Sequence, residues 1–217
     1  MQQFLKDYPQ SYHTYEANEL MGQLAVAAGM PQKAEAFYQK VKAPWPESEL
    51  RLNLLRAKAF ASQKDFNKAI AAYQTVLDSS EQGEQANRAK LKATLGKASA
   101  LAEIGQGAEG IDSVKNVIRS SEQGDTVILA QAYNALGDCY RAMQQPKEAV
   151  LQYLHTDTLY FQDPETHGNA LELLANLWKD LKKPERAAQA LKTLKTRYPN
   201  RKSKYDDSKR ENSTIDG

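Results

Sequence analysis

Apolar residues recur along this chain at intervals of three and four positions, a spacing that places them on one face of an α-helix. Two runs show it most clearly: Leu91, Leu95, Ala98 and Leu101, and Leu171, Leu174, Ala175 and Trp178. No stretch shows the period-two alternation that is typical of a half-buried β-strand. The pattern therefore predicts an all-α protein.

Pairs of small residues, always twelve positions apart, occur five times. These pairs are Gly22 and Ala34, Ala57 and Ala69, Ala98 and Gly110, Gly137 and Ala149, and Ala175 and Ala187. A bulky side chain at the crossing of two packed helices would push their axes beyond the usual separation of about 8–10 Å, so Gly or Ala is favoured there. We expect each pair to mark one unit of two helices.

The units predict a helix-turn-helix solenoid over residues 15–200, because a two-helix unit cannot bury its apolar face alone. The five units are predicted to start near residues 15, 50, 91, 130 and 168. A recurring SSEQG string at residues 79–83 and 120–124 fixes a period of 41 for two of them. The prediction is thus a stack of about five helix pairs.

Prolines punctuate the predicted helices, since a proline inside a helix removes a hydrogen bond and clashes with the preceding turn. Three are expected at the turn within a unit: Pro31, Pro146 and Pro184. Three others are expected at the ends of second helices: Pro9, Pro46 and Pro199. Pro44 and Pro164 are expected in linkers.

The repeating pattern resembles the tetratricopeptide repeat, whose consensus runs W-x2-L-G-x2-Y, then A-x3-F, then P. The fourth unit supplies Tyr133, Leu136, Gly137, Tyr140, Ala149 and Tyr153, and the first supplies Met21, Gly22, Ala34, Tyr38 and Pro46. Units two and three depart from the family pattern with Arg56 and Lys97 in the leucine slot. The resemblance implies a right-handed superhelix whose first helices line a concave surface.

The two ends of the sequence carry a further similarity. The opening FLKDYPQ resembles LKTRYPN at the end of the last unit, so residues 1–14 are interpreted as the end of a partial repeat. The string from Phe4 to Ser11 also resembles the longer repeats of bacterial envelope tetratricopeptide proteins. Residues 201–217 contain only Tyr205 and Ile215 as large apolar residues and are expected to be a disordered polar tail without a capping helix.

Composition narrows the class of function. The 217 residues contain 29 Lys and Arg against 27 Asp and Glu, so the net charge of +2 gives no signature of nucleic-acid binding. No apolar stretch approaches the roughly 20 residues of a membrane-spanning helix. The start has neither the basic nor the apolar region of a signal peptide, which favours the cytoplasm by default and leaves a periplasmic or envelope location for a longer secreted or anchored protein.

The candidate catalytic and metal-binding motifs lack the sequence context that their chemistry requires. Residues 105–110 read GQGAEG, a literal GxGxxG, but they follow a predicted helix rather than the strand that a dinucleotide site requires. His13, His155 and His167 show no metal-ligand spacing and are expected in junction packing. The single cysteine, Cys139, is expected to be a packed thiol. The sequence therefore predicts no enzyme, no cofactor and no metal.

A protein-interaction scaffold is the favoured function, with a peptide or partner helix in the concave groove. Groove-facing positions of the first helices predict these partner-binding residues: Arg51, Lys58, Lys92, Gln131, Asn134, Asp138 and Arg141. Residues 85–100 contain four cations and no acid, which indicates either a solvated charged face or electrostatic steering of an acidic segment.

Two other functions stay open. Uncapped ends could stack into homo-oligomers or onto a neighbouring domain, and the solenoid could regulate an enzyme in a longer chain. Some family members clamp a chaperone's C-terminal carboxylate, but Glu19 and Gln23 stand in the corresponding slots of unit one, so we exclude that role.

Overall fold

The computed structural model describes residues 1–41, 45–121 and 125–201, and these residues form helices, turns and short connections without a β-strand. The helices are α1 (Gln2–Asp7), α2 (Thr14–Ala27), α3 (Pro31–Tyr38), α4 (Pro46–Ser62), α5 (Phe66–Leu77), α6 (Glu84–Glu103), α7 (Gly107–Ser120), α8 (Thr126–Ala142), α9 (Pro146–Leu159), α10 (Pro164–Asp180) and α11 (Pro184–Arg197). The predicted all-α fold is confirmed.

After α1, the helices form five pairs that stack in chain order. The first members, α2, α4, α6, α8 and α10, each pack against the first member of the next pair. Within the described residues, the second members contact their own partner and the following first helix but not one another. The first helices therefore form the inner, tightly spaced side of a solenoid, and we call them the inner helices; the second helices are the outer helices.

The helix pairs begin at Thr14, Pro46, Glu84, Thr126 and Pro164. These positions lie one to seven residues before the unit starts taken from the sequence, because the first helices extend beyond the small and apolar residues that marked them. The division into residues 1–14 and 15–200 stays a prediction. Of the tail, residues 202–217 lie outside the described part of the chain.

Five prolines stand at the first position of a helix. Pro31, Pro146 and Pro184 begin outer helices, where the missing N–H would have no partner within the helix. Pro46 and Pro164 begin the inner helices α4 and α10 in the same way. Placing Pro46 at the end of an outer helix and Pro164 in a linker was therefore wrong, and Pro44 lies outside the described residues.

A left-handed residue ends the inner helix of every pair, seven positions after its small residue. These residues are Gly29, Lys64, Gly105, Gln144 and Lys182. The next N–H donates to a carbonyl five residues back, as from Met30 to Ala25 at 2.8 Å and from Lys183 to Trp178 at 2.7 Å. This is a Schellman motif. Because all five turns share this geometry, the interval of twelve between the small residues does not vary.

The small residues lie where the helices of a pair cross, and all ten are buried. In unit three, a Cβ atom built on Gly110 would be 2.8 Å from the Cβ of Ala98, which confirms the register of this divergent unit. The two polar residues in leucine slots contact the preceding outer helix. Arg56 donates to Glu35 of α3, and Lys97 donates to Gln74 of α5 at 2.6 Å.

The similarity between the two ends of the sequence is reproduced in the backbone. Tyr8 ends α1 with φ −129° and ψ 59°, and Tyr198 ends α11 with φ −131° and ψ 62°. Each precedes a proline, which disfavours helical backbone at the residue before it. The Tyr-Pro pair is therefore a local stop signal for a helix in both places.

Candidate functional site

The inner helices carry the seven residues that the sequence assigned to partner binding. Arg51 of α4 is exposed but engaged, because its Nη2 lies 2.9 Å from Oε2 of Glu19 on α2. The Glu19 side chain is only 10% exposed and also accepts a hydrogen bond from Gln23. Arg51 therefore joins the first two helix pairs.

Asp138 and Arg141 of α8 belong to a polar network between units three and four. The Tyr153 hydroxyl donates to Asp138 at 2.6 Å, and Arg141 donates to Glu103 at the end of α6. Burial of the carboxylate raises the pKa of Asp138, although the hydrogen bonds from Tyr153 and Ser99 and the charge of Arg141 oppose that rise. This network holds the α8–α9 pair against α6.

Asn134 is buried, with 9% of its surface exposed, and its Nδ2 donates to the carbonyl oxygen of Thr166 on α10 at 2.8 Å. It therefore links adjacent inner helices. Gln131, one turn earlier on α8, is half-buried. The sequence had placed both residues on the groove surface, and only Gln131 keeps a side chain with appreciable exposure there.

The middle of the inner surface holds a positively charged cluster, Lys58, Arg88 and Lys92, which we call the basic centre. Lys58 is exposed and Lys92 is half-buried, and within the described residues neither side chain forms an ion pair or hydrogen bond. Arg88 donates to both carboxylate oxygens of Asp125, at 2.6 and 3.2 Å.

Burial and neighbouring positive charges both act on Lys92. Partial burial, followed by the charges of Arg88 and Lys58, lowers the pKa of Lys92, while the more weakly felt Asp125 and Asp163 oppose the change. The other cations of the run from 85 to 100 are occupied. Lys90 donates to the carbonyl of Glu81 at 3.0 Å, and Lys97 binds Gln74. The three cations of the basic centre therefore have one carboxylate, that of Asp125, in close contact, and the cluster keeps an excess of positive charge.

Acidic residues lie towards the two ends of the same surface. Glu172 of α10 is 5% exposed and accepts a hydrogen bond of 3.0 Å from Nε of Arg201. Glu19 and Glu172 occupy the same place in their units, three residues before the small residue, and each pairs with an arginine from the segment that follows. The sequence pattern does not reveal this repeated pair, because its members are about thirty residues apart.

The remaining chemical candidates have structural roles. His167 is fully buried, with its ring nitrogens 2.8 Å from Asp157 Oδ1 and 2.7 Å from the Tyr198 hydroxyl, so it ties α9, α10 and the end of α11 together. His155 stacks on Tyr133. His13 contacts Glu16 at the surface.

The three glycines of the GxGxxG string also have packing roles. Gly105 ends α6 in the left-handed conformation, Gly107 lies against Cys139 of α8, and Gly110 lies at the crossing with Ala98. Cys139 is buried, and this burial raises the pKa of its thiol to about 12.

No group of His, Cys, Asp and Glu residues that could hold a metal ion occurs within residues 1–41, 45–121 and 125–201. Over the same ranges, no helix is long and apolar enough to span a membrane.

Models of known protein families match segments in three of the five units. Two family models, each described as tetratricopeptide repeat, match the chain: one over residues 169–201 and the other over residues 50–82 and 130–155. These segments fall in units five, two and four. No curated protein sequence matches the chain at a significant level.

Two solved structures share the fold. One is MamA from residue 41 to its end, from Desulfovibrio magneticus RS-1, with a TM-score of 0.50 and 15% identity over 83% of this chain and 93% of that chain. The other consists of nearly identical TPR-like repeats assigned to a kinesin light chain of Podosopora anserina. It has a TM-score of 0.57 and 16% identity over 86% of this chain and 96% of that chain.

The stacked helix pairs, their common turn and the buried small residues define an α-helical repeat solenoid. Family models described as tetratricopeptide repeat match segments of units two, four and five, so the chain contains tetratricopeptide repeats in those units.

Proposed function

We propose that this protein is a non-enzymatic interaction scaffold that binds an acidic extended peptide or partner helix along its inner helices, with the basic centre as the anchoring site. The observation that carries the proposal is the crowding of Lys58, Arg88 and Lys92, of which only Arg88 has a carboxylate in close contact. Tetratricopeptide repeats commonly form such scaffolds, and the two solved relatives support the fold alone.

Partial burial, followed by the charges of Arg88 and Lys58, lowers the pKa of Lys92. A carboxylate between Lys58 and Lys92 would oppose that change, because an opposite charge favours the protonated amine. The half-buried Gln131 on the next inner helix offers an amide to an extended backbone. Steering by this unpaired charge would raise the association rate more than it would slow dissociation.

In this proposal, the other predicted groove residues form the walls of the groove. Arg51, Asn134, Asp138 and Arg141 are held by contacts between helices, so their side chains are not free to reorganise around a ligand. We assign direct contact with the partner to Lys58, Lys92 and Gln131.

The test uses a fluorescein-labelled hexa-aspartate peptide and stopped-flow anisotropy. The double variant Lys58→Glu/Lys92→Glu should lower affinity by at least about tenfold, mainly through the association rate. Raising salt towards 1 M should mimic this loss in the wild type, because the screening length falls to roughly 3 Å.

The matched control reverses two exposed lysines of outer helices, Lys33→Glu/Lys147→Glu, which changes the net charge equally. We expect this variant to keep wild-type affinity apart from a small effect of net charge. Equal losses in both double variants would mean that binding follows overall charge and would refute an inner-surface site.

A further inference from the structure

A cleft at the N-terminal end of the solenoid lies apart from the basic centre. It has a volume of about 830 Å³ and lies between α1, the first turn of α2, the end of α3 and the start of α4. Four aromatic side chains line it: Tyr12, Tyr15, Phe37 and Trp45. We call this site the aromatic cleft. None of the described residues that line it belongs to the basic centre.

The rings of the cleft are held in place yet open to solvent. Tyr15 and Trp45 pack edge to face, with ring centroids 6.5 Å apart at 83°. The Tyr15 hydroxyl donates to Glu16 at 3.0 Å. Tyr12 is 75% exposed and Trp45 is 52% exposed. Because a small-molecule pocket covers most of its ligand, this open cleft is better suited to one face of an extended peptide, as in the aromatic grooves that bind proline-rich segments.

The charges of the cleft select an anionic ligand. Among the described side chains that line it, Lys6 and Lys40 are charged and none is acidic. Two acids of the same end, Asp7 and Glu16, already accept hydrogen bonds from neighbouring side chains. Aromatic rings alone would also suit a cationic ligand, but the two ammonium groups repel one. A carboxylate is therefore the charged group that fits.

The hydrogen-bonding groups of the cleft favour a ligand rich in acceptors. Within the described residues, the side chains of Tyr12 and Trp45 make ring contacts but no hydrogen bond. Asn18 is 7% exposed, and its Nδ2 donates to the Thr14 carbonyl at 2.8 Å, while its Oδ1 has no donor among the described residues. A polyproline II peptide presents carbonyls without internal hydrogen bonds, and its prolines lack N–H groups. Its carbonyls match the indole, hydroxyl and ammonium donors, and a non-proline N–H matches Asn18.

We propose that the aromatic cleft binds an extended acidic peptide that contains proline. The prolines pack on the rings, the carboxylates lie at Lys6 and Lys40, and one N–H donates to Asn18 Oδ1. A polyproline II segment is already extended in solution, so its binding costs little conformational entropy. This site does not depend on the basic centre, and the two proposals stand or fall separately.

The two tryptophans of the chain allow the site to be located directly. The probe is the nonapeptide (Pro-Pro-Glu)3, which places one carboxylate in each turn of a polyproline II helix. The indole N–H spectrum has two signals, from Trp45 and from Trp178, which lies under Arg186 at 4.7 Å and serves as the reference. We expect the probe to shift the Trp45 signal and leave that of Trp178 in place. An unchanged Trp45 signal at saturating probe would overturn the proposal.

The contribution of the rings is tested by fluorescence anisotropy with the fluorescein-labelled probe. Tyr12→Ala/Trp45→Ala should lower its affinity by at least about tenfold, as for aromatic anchors at other interfaces. Both side chains are more than 50% exposed, so circular dichroism should show an unchanged fold. The matched control Leu151→Ala/Phe161→Ala removes two exposed apolar side chains elsewhere and should bind like wild type. Equal losses in both double variants would refute a site at the cleft.

Two further probes separate the chemistry of the ligand. The peptide (Gly-Gly-Glu)3 has the same charges without proline, and (Pro-Pro-Lys)3 has the same backbone with the opposite charge. Each should bind at least about tenfold more weakly than (Pro-Pro-Glu)3. If the glycine peptide binds equally well, charge alone is recognised. If the lysine peptide binds equally well, the rings hold a cation. Either result would refute the proposed ligand.

The cleft and the basic centre are distinguished by the double variant Lys58→Glu/Lys92→Glu. It should keep the shift of Trp45 on addition of (Pro-Pro-Glu)3 while losing affinity for hexa-aspartate. If the shift of Trp45 is lost as well, the peptide binds through the basic centre and the cleft is refuted. A retained shift of Trp45 with unchanged affinity for hexa-aspartate would refute the groove function and leave the cleft standing.

Discussion

The ring of Tyr153 lies directly against Gly137, so that a Cβ atom placed on this glycine would be 2.6 Å from the Cε1 atom of the ring. The two residues belong to the helices of one pair, α8 and α9, and both are buried. Even one methyl group at position 137 would therefore force the helices apart or displace a fully buried aromatic ring.

Substituting the small residues of this crossing should destabilise the fold. We expect Gly137→Leu and Ala149→Leu each to lower the free energy of unfolding by about 1–3 kcal/mol or more, because the packed crossing has no room for a larger side chain. Urea denaturation followed by circular dichroism at 222 nm measures the change. Ala71→Leu, an exposed site on α5, is the control and should stay near wild-type stability. Wild-type stability of both crossing variants would contradict the register.

The backbone architecture was predictable because its signal is local and repeated. Each pair of small residues spans one turn of fixed geometry, so the interval of twelve survives even where Arg56 and Lys97 replace leucine. Pro46 and Pro164 were misplaced because a proline is compatible both with the end of one helix and with the first turn of the next.

The turn at the end of each inner helix gives a second prediction. Lys64, Gln144 and Lys182 have φ values near +60°, which costs a residue with a Cβ atom roughly 1–2 kcal/mol. Glycine avoids that strain but loses more backbone entropy on folding. We expect Gln144→Gly to stabilise the fold by about 0.5–1 kcal/mol net.

The neighbouring residue provides the control for this turn. Met143 has φ −82°, and Met143→Gly should lower stability because glycine gains nothing there. Both variants are compared with wild type by thermal and urea denaturation. A loss of stability in Gln144→Gly would show that the side chain contributes more than the strain costs.

The raised pKa of Asp138 predicts a pH-dependent contribution to stability. Because burial raises the folded-state pKa above the ordinary value of 3.8, the folded state binds this proton more tightly than the unfolded state. Its contribution therefore falls as pH rises from about 3.8 through the folded-state pKa. Asp138→Asn, which cannot ionise, should gain stability relative to wild type across that interval.

Urea denaturation at a series of pH values from 4 to 7 measures this difference. The matched variant Asp112→Asn, at an exposed site on α7, should follow the wild-type profile. A difference between wild type and Asp138→Asn that stays constant with pH would mean that the carboxylate is as easily ionised in the folded protein as in the unfolded chain.

The candidate site was less predictable than the fold, and the reason is the distance along the sequence between partners. The helical register places Arg51, Asn134 and Asp138 on inner helices, but their partners Glu19, Thr166 and Tyr153 lie 15 to 32 residues away. Spacing within one helix shows which way a residue faces. It does not show that a neighbouring helix already holds its side chain.

Arg51 and Lys58 therefore have different roles, although both are cations of α4 on the inner surface. Arg51→Glu should lower stability by about 1–2 kcal/mol, because it places an acid beside the nearly buried Glu19; the exposure of Arg51 keeps the loss below that of a fully buried pair. Lys58→Glu should leave stability unchanged or slightly raised, since it relieves repulsion with Lys92.

Exchanging the two charges separates a specific pair from a general charge effect. The double variant Glu19→Arg/Arg51→Glu should recover part of the lost stability, with a coupling energy of about 0.5–1 kcal/mol in a double-mutant cycle. It should also keep the affinity for the hexa-aspartate probe, because Lys58 and Lys92 are untouched. If the swapped protein is stable yet no longer binds the probe, Arg51 contacts the ligand directly and belongs with Lys58 and Lys92 in the binding site.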